Sequence, residues 1–468
     1  MGERPPFEVY IHVPFCLRRC GYCDFNTYTA TDLGGGASRK HYADLAIREM
    51  ELSKAWQESR GIVEPAISSI FFGGGTPTIL PPDDLGRMVR AARDLWGLED
   101  GAEITTEANP DTVDAAYLET LIQDGFTRVS FGMQSAVPHV LKTLDRTHTP
   151  ANVTANVETA RALGLEASVD LIYGTPGESL ADWRTSLEAA IDLGVDHVSA
   201  YALTLEPTTK MGRAVATGRM PRPNDDDEAA MYELADDLLT GAGLDWYEIS
   251  NWARPGHECR HNLGYWRNVD WAGIGPGAHS HYLSVEAEPV KAGSTCEDGT
   301  GESALSPGFR RTLPVEGREH VLPESQGKGD ADLPSPFKMN SYPLDPWWQQ
   351  SVPGAEGLTR ASIRSWDIRH PRAWASTMLR GLIPWQGAET LTSSQDLEET
   401  VMLRLRMREG LDLEKLETRT GFRPSPGTID DLINQGLIHT DGSRIVATRQ
   451  GRLLNDLVIE RILESIDA

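Results

Sequence analysis

The sequence predicts an α/β chain: a partial (βα)6 barrel carrying a long low-order insertion and a helical, winged-helix-like C-terminal domain. Three observations lead there. Short β-type runs alternate with amphipathic helical segments at intervals of about 30 residues, the length of one strand–helix unit. The chemically unusual stretches each follow the end of a β-type run, where the loops of a parallel barrel gather. The alternation stops after six units, short of a closed eight-unit barrel, which leaves an open side for a large ligand.

The β-type runs occupy residues 9–13, 67–72, 103–107, 128–132, 168–173 and 197–203. Helical patterns lie between them at 41–59, 83–97, 114–125, 152–164 and 181–194, and several end in Gly, the usual C-terminal stop. Repetition of this kind implies a parallel sheet with right-handed crossovers. A further helix at 228–241 precedes DWYEISNW and CRHNLGYWRNVDWAGIGPGAHSHY, which complete a first domain over residues 1–283. Residues 284–358 are rich in Gly, Pro, Ser and Glu without apolar period and read as a low-order insertion, with PLDPWW its one apolar patch. Residues 359–468 read as helices, a short hairpin (LIHTDGSRIVAT) and a last helix beginning GRLLND, a winged-helix-like arrangement.

Acidic residues outnumber basic ones by 69 to 44, a formal charge of −25. A field of that sign repels polyphosphate backbones, so nucleic acid is not expected as a partner, and the acidic C-terminal domain is expected to be structural or to contact protein. No apolar run approaches the roughly 18 residues needed to cross a bilayer. The start, MGERPPFEVYIHV, has no secretory pattern. Five cysteines are too few and too clustered for a disulfide framework. The expected location is cytoplasmic.

Cys16, Cys20 and Cys23 form C-x3-C-x2-C directly after the first β-type run. Structural zinc normally takes four protein ligands from two separated pairs, and no second pair exists here. His12 is the available fourth ligand, awkwardly placed inside a strand. A [4Fe-4S] cubane has four iron corners, so three thiolates leave one iron open to an exchangeable ligand. Cluster, zinc and chance clustering all remain readings of the spacing. GGGTPT follows the second run, and glycines there let backbone groups approach a polar ligand closely. A tight turn is the simpler reading of the same glycines, and no P-loop Gly-Lys-Ser/Thr follows.

Taken together, C-x3-C-x2-C, GGGTPT and TEANP, each after a successive strand, resemble the radical S-adenosylmethionine (SAM) superfamily. That resemblance covers residues 9–205 and implies a cluster whose open iron is chelated by SAM. YIHVPFC, GGGTPT, LDRTH, VDLIYGTPGES and GIGPGAHS are similar to the oxygen-independent coproporphyrinogen III oxidase group. CDF, HNLGYW and GRLLND resemble its haem chaperone branch. The oxidases carry another cysteine where Phe25 stands here, and a longer N-terminal extension.

The resemblance assigns Cys16, Cys20 and Cys23 to the cluster and Tyr10, Tyr22, Gly74, Gly75, Thr76 and Glu107 to SAM. Gln134, Arg146, Asp170 and Ala202 match positions that surround a second SAM in the oxidase. The simpler readings are an exposed ion pair for Arg146, a helix cap for Gln134 and a turn shaped by Glu107 and Asn109. Asp170, inside an apolar strand, needs a partner: a ligand or Arg146. In HNLGYW, His261 is the candidate axial ligand for haem, with Tyr265 and Trp266 against the porphyrin face. Cys259, His257, His279 and His281 are rival ligands.

The function implied is that of a haem chaperone with a [4Fe-4S] cluster and SAM, passing haem to acceptor haemoproteins, respiratory and at the membrane surface, and allowing a SAM-linked homodimer. The alternatives are a coproporphyrinogen III dehydrogenase and a radical SAM enzyme acting on another substrate.

Overall fold

Strand β1 (Phe7–Val13) sets the pattern of the whole molecule. Phe7, Val9, Ile11 and Val13 are fully buried on one face, whereas Glu8, Tyr10 and His12 alternate with them on the other. The same alternation runs through β2 (Ile67–Gly74), β3 (Leu98–Ala108), β4 (Arg128–Gln134), β5 (Glu166–Tyr173) and β6 (His197–Ala202). Parallel strands covered on both faces normally read as continuous apolar runs. Here one face is apolar and the other carries Glu, Ser, Thr, Asp and His, so that polar face lines an interior.

The computed structural model describes residues 5–285 and 361–466. β1 to β6 are hydrogen-bonded neighbours in sequence order, every pair parallel. With right-handed crossovers, an order that never reverses puts all the connecting helices on one side, the winding of a barrel wall. Those helices, Tyr42–Ser59, Pro82–Trp96, Ala115–Gln123, Pro150–Ala162 and Leu180–Asp192, pack on the apolar face. Thr149 and Ser179 open two of them with reciprocal capping boxes. Gly97 closes the Pro82–Trp96 helix at φ 80°, as its sequence position predicts.

The sheet continues beyond the six predicted strands at both ends. β7 (Asp245–Glu248) and β8 (Asn251–Ala253) pair antiparallel next to β6. β9 (Asp270–Ile274) lies parallel to β1, followed by antiparallel β10 (His279–Val285), β11 (Ala361–Asp367) and β12 (Trp385–Thr390). The result is one mixed sheet of 12 strands. The predicted insertion at 284–358 lies outside the described residues, apart from Ser284 and Val285 at the end of β10. Residues 361–390, grouped on sequence with the C-terminal segment, supply two strands to the large sheet.

A second core gathers Leu397, Val401, Leu405, Leu416, Leu432, Ile445 and Val458. Its helices and the strands β13 (Leu411–Asp412), β14 (Ile438–Thr440) and β15 (Arg444–Ala447) follow one another as helix, strand, two helices, hairpin and two helices, a winged-helix-like order. The GRLLND segment explains its own Arg: Arg452 makes two hydrogen bonds to Asp236, at 3.0 and 2.7 Å, and lies 4.3 Å from the Trp246 ring centre. A buried bidentate pair of this kind fixes orientation as well as contact. Among the described residues no helix is long and apolar enough to cross a membrane.

Candidate functional site

The cysteine loop is tied down before any cofactor is considered. Cys16 N–H donates to Tyr28 O at 3.0 Å and Tyr28 N–H to Pro14 O at 2.7 Å, closing the loop onto the end of β1. Gly75 N–H reaches Val13 O and Thr76 N–H reaches Phe15 O, both at 2.8 Å. A Cβ at Gly75 would sit 2.6 Å from Phe15 O, so this stitching requires glycine. Gly74, at φ 102°, adopts a backbone that favours glycine, and a Cβ there would collide with the His12 ring. The glycines are therefore required by the tight turn and by the close packing of His12 and the Phe15 backbone against them.

Side-chain donors point at the sulfurs. Thr76 Oγ1 donates to Cys16 Sγ at 3.6 Å and Arg146 Nη1 to Cys20 Sγ at 3.8 Å. Burial raises the Cys16 thiol above its ordinary range, with Thr76 pulling it back, and pushes Cys23 up to about 11. These donors favour thiolate once a cation arrives. Among the described residues no three His, Cys, Asp or Glu side chains converge on one point as ligands of a single ion do. A cubane makes a different demand, since each thiolate goes to a separate iron. The loop's thiol set, with hydrogen-bond donors to two sulfurs, suits that group.

Arg146 is not the exposed ion-pair partner of the simpler reading. Half-buried, it donates to Gly132 O at 2.8 Å and to His148 Nδ1 at 3.3 Å as well as to Cys20. Gln134 stands in left-handed backbone at φ 62°, and its Nε2 folds over Gly132 beside Arg146. It caps no helix: the next helix, Pro138–Thr143, has Val137 at its N-cap without a side-chain bond. Tyr22 packs against the Val137, Ile172 and Leu203 cluster, and Ala202 sits exposed at the end of β6 opposite Tyr173.

Tyr10, Glu107 and Asp170 line an interior cavity of about 150 Å³ on the polar face of the sheet. Burial, with Asp170 nearby, pushes the Glu107 carboxyl up to about 8. Burial also raises Asp170, to about 6, against hydrogen bonds from Ser199 and Ser130 and the charge of Arg146. The partner required for Asp170 is thus a pair of serines, with Arg146 within electrostatic reach; Ser130 Oγ donates at 3.0 Å. At neutral pH Glu107 keeps its proton whereas Asp170 is mostly ionised, a pair that suits hydroxyl-rich or cationic ligand groups.

His261 and Tyr265 line this same cavity. Their helix, Arg260–Arg267, plugs the end of the sheet interior remote from the cysteines. Glu103 of β3 seats it, accepting from Arg260 N–H at 3.0 Å, His261 N–H at 3.2 Å and Cys259 Sγ at 3.3 Å. A carboxylate on a helix N-terminus satisfies orphan donors and complements the dipole. Gly264 is needed because Glu8 occupies the place of a Cβ. His261 Nδ1 meets Ser69 Oγ at 2.8 Å, whereas the buried Nε2 has no partner. The ring stacks on Phe71 at 5.1 Å, and burial lowers its pKa to about 3, so the imidazole is neutral.

The rivals are occupied differently. Cys259 is bonded to Glu103, His257 Nδ1 faces Glu166 at 3.2 Å, and His281 stacks on Trp271 with Nδ1 on Val269 O. Residues that sequence reasoning missed include Glu8, Ser69, Glu103, Ser130 and Ser199. Each sits on the polar phase of a strand whose other phase is apolar, and that alternation was the signal available.

A sequence profile described as "Radical SAM superfamily" matches residues 10–190, and one described as "HemN C-terminal domain" matches residues 391–454. A Mycobacterium tuberculosis protein named "Heme chaperone HemW" is 37% identical over 460 residues, covering 98% of this chain and 95% of that relative. The chain belongs to the HemW family of radical SAM proteins. A Bacillus subtilis HemW is 29% identical over 97% of this chain and 99% of its own length. The solved structure of Escherichia coli coproporphyrinogen III oxidase (HemN), described as a radical SAM enzyme, superposes with a TM-score of 0.69 over 99% of this chain and 91% of that one. At 18% identity that likeness shows the fold alone. Membership of the radical SAM family implies a [4Fe-4S] cluster and SAM, and relatives in the HemW branch carry the name of haem chaperones.

Proposed function

We propose that this HemW-family chain is a haem chaperone, holding a [4Fe-4S] cluster on Cys16, Cys20 and Cys23, binding SAM beside it and passing haem to acceptor haemoproteins. The observation that carries the reading is the near full-length identity to proteins named as haem chaperones, which extends through the cysteine loop, HNLGYW and the C-terminal domain. A bound cluster supplies an open iron and an electron-transfer centre for SAM. The protein's own part is to hold and shape. Thr76 and Arg146 stabilise the thiolates, the backbone of Gly74 and Gly75 receives the methionine end, and Tyr10 and Glu107, which line one cavity, bound the SAM volume together with Tyr22 of the cysteine loop. Gln134, Arg146, Asp170 and Ala202 are the candidates for any second SAM.

For haem, His261 offers a neutral imidazole oriented by Ser69, with Nε2 free to bind iron. The cavity it faces, about 150 Å³, is half the roughly 300 Å³ at which pockets for drug-sized ligands begin. Coordination by His261 therefore requires the Arg260–Arg267 helix to leave its seat on Glu103. The acceptors, respiratory and membrane-associated, the cytoplasmic location and a SAM-linked homodimer complete the proposal.

The test is haemin titration of the iron-reconstituted protein, followed by mixing with an apo-haemoprotein. Saturable binding and transfer of the Soret signature to the acceptor are expected. Conversion of coproporphyrinogen III to protoporphyrinogen in the presence of SAM and a reductant would replace the chaperone reading with the dehydrogenase.

A further inference from the structure

The HNLGYW helix has a second face. Opposite the interior cavity, Trp266 and Arg267 line a cleft of about 620 Å³ against the C-terminal domain, more than four times the volume that His261 faces. Its size falls within the range of cofactor and ligand pockets. Leu403, Leu411 and Leu416 supply apolar wall. Arg267, Arg404, Lys415, Arg419 and Arg444 line it together with Glu409, Asp412 and Glu414, an excess of positive charge in a chain whose formal charge is −25.

Arg419 is held by the Asp396 carboxylate and Arg444 Nη2 by Asp412 Oδ2 at 3.2 Å, which leaves Arg267 and Arg404 to share Glu409. Arg267 pairs with the Glu409 carboxylate, Arg404 Nη1 lies 3.7 Å from it, and Arg444 Nη1 donates to Glu409 O at 3.1 Å. One carboxylate thus serves Arg267 and Arg404 together, with Arg444 close by. Burial holds Arg404 below its usual range; Glu409 opposes that, and crowding by Arg267, Arg419 and Arg444 adds to it. Clustered guanidiniums with unused donors are suited to carboxylates, which they bind through paired hydrogen bonds.

We propose that this cleft recognises the carboxylates of a porphyrin-sized ligand. On the haem-chaperone reading, on which this identification rests, the ligand is haem and the carboxylates are its propionates. Glu409 then acts as a stand-in anion, holding Arg267 and Arg404 in place until the ligand's own carboxylates arrive. Haem can dock here with the His261 helix still seated, because Trp266 and Arg267 already face the cleft.

The full chain is titrated with haemin, with metal-free protoporphyrin IX and with protoporphyrin IX dimethyl ester, whose carboxylates are blocked. Arg404→Gln and Arg444→Gln are each expected to weaken haemin and protoporphyrin binding by about tenfold, the value of a charge-assisted contact. The dimethyl ester should bind the wild type more weakly than the free acid and be indifferent to these substitutions. Glu409→Gln, which removes the competing anion, should tighten binding, a gain that misfolding does not produce. Haemin affinity unchanged in all three variants overturns the cleft and leaves the chaperone reading standing. Weakening by Glu409→Gln along with the others would assign the losses to a disturbed interface and also overturn it. Wild-type protein that binds protoporphyrin IX in this pattern but not haemin keeps the cleft and removes the haem reading. Binding of neither removes both.

Discussion

Arg146 Nη1 and Cys20 Sγ lie 3.8 Å apart although 126 residues separate them in the chain. The same guanidinium holds Gly132 O and His148 Nδ1, so it joins the cysteine loop to the end of β4 through three partners at fixed angles. A planar fork can do this and an ammonium cannot.

Arg146→Lys and Arg146→Ala should therefore behave alike. Both are expected to lower retention of iron and sulfide after anaerobic reconstitution by about tenfold against a chelator, in line with loss of one charge-assisted bond. The circular dichroism spectrum should stay unchanged. Lysine that restores full cluster retention would show that charge alone, without the fork, is sufficient.

Gly74→Ala meets two obstacles at once: a backbone at φ 102° and the His12 ring where the methyl would go. We expect a loss of about 2–4 kcal/mol in denaturant unfolding. Gly177→Ala, at φ 87° with nothing within 4 Å of the added methyl, should cost about 1 kcal/mol. Equal losses would mean that the close approach to His12 carries no weight.

Glu107 gives the molecule a definite pH signature. Its carboxyl titrates near 8 in the folded protein, against an ordinary value of 4.5. Between those values the native state holds a proton that the unfolded chain has lost, so this group's contribution makes stability fall as pH rises. Glu107→Gln should remove that slope, leaving the variant more stable than wild type at pH 8 and little different at pH 4.5. Paired thermal melts across this window decide it. Parallel curves for the two proteins would show that Glu107 titrates normally.

Glu103→Ala removes the carboxylate that seats the Arg260–Arg267 helix and faces buried Arg128, whose Nε lies 3.9 Å away. Breaking one side of a buried charged network should cost about 3 kcal/mol. Glu166→Ala, at a half-exposed partner of the same arginine, should cost less. Hydrogen exchange at the amides of Arg260 and His261 would rise in the Glu103 variant, and unchanged protection there would contradict the capping role.

The sequence by itself determined what is periodic or locally spaced. The six parallel strands and their helices followed from apolar residues recurring at two and at 3.6, and the winged-helix-like tail from helices around a short hairpin. C-x3-C-x2-C and GGGTPT were legible because their chemistry is concentrated within a few residues. Tertiary structure alone decided everything that depends on distant pairing. β9 joins β1 across more than 250 positions, and β10 to β12 extend that edge, because strand partnership is fixed by edge availability and not by local pattern. Ser69, Glu103, Ser130 and Ser199 are ordinary residues until the sheet lines them along one face. His261 and Tyr10, read as belonging to separate haem and SAM sites, stand with ring centres 6.3 Å apart over one cavity. Folding the helix back into the sheet interior brought them together, since only there could its buried polar groups find Glu103, Ser69 and Glu8.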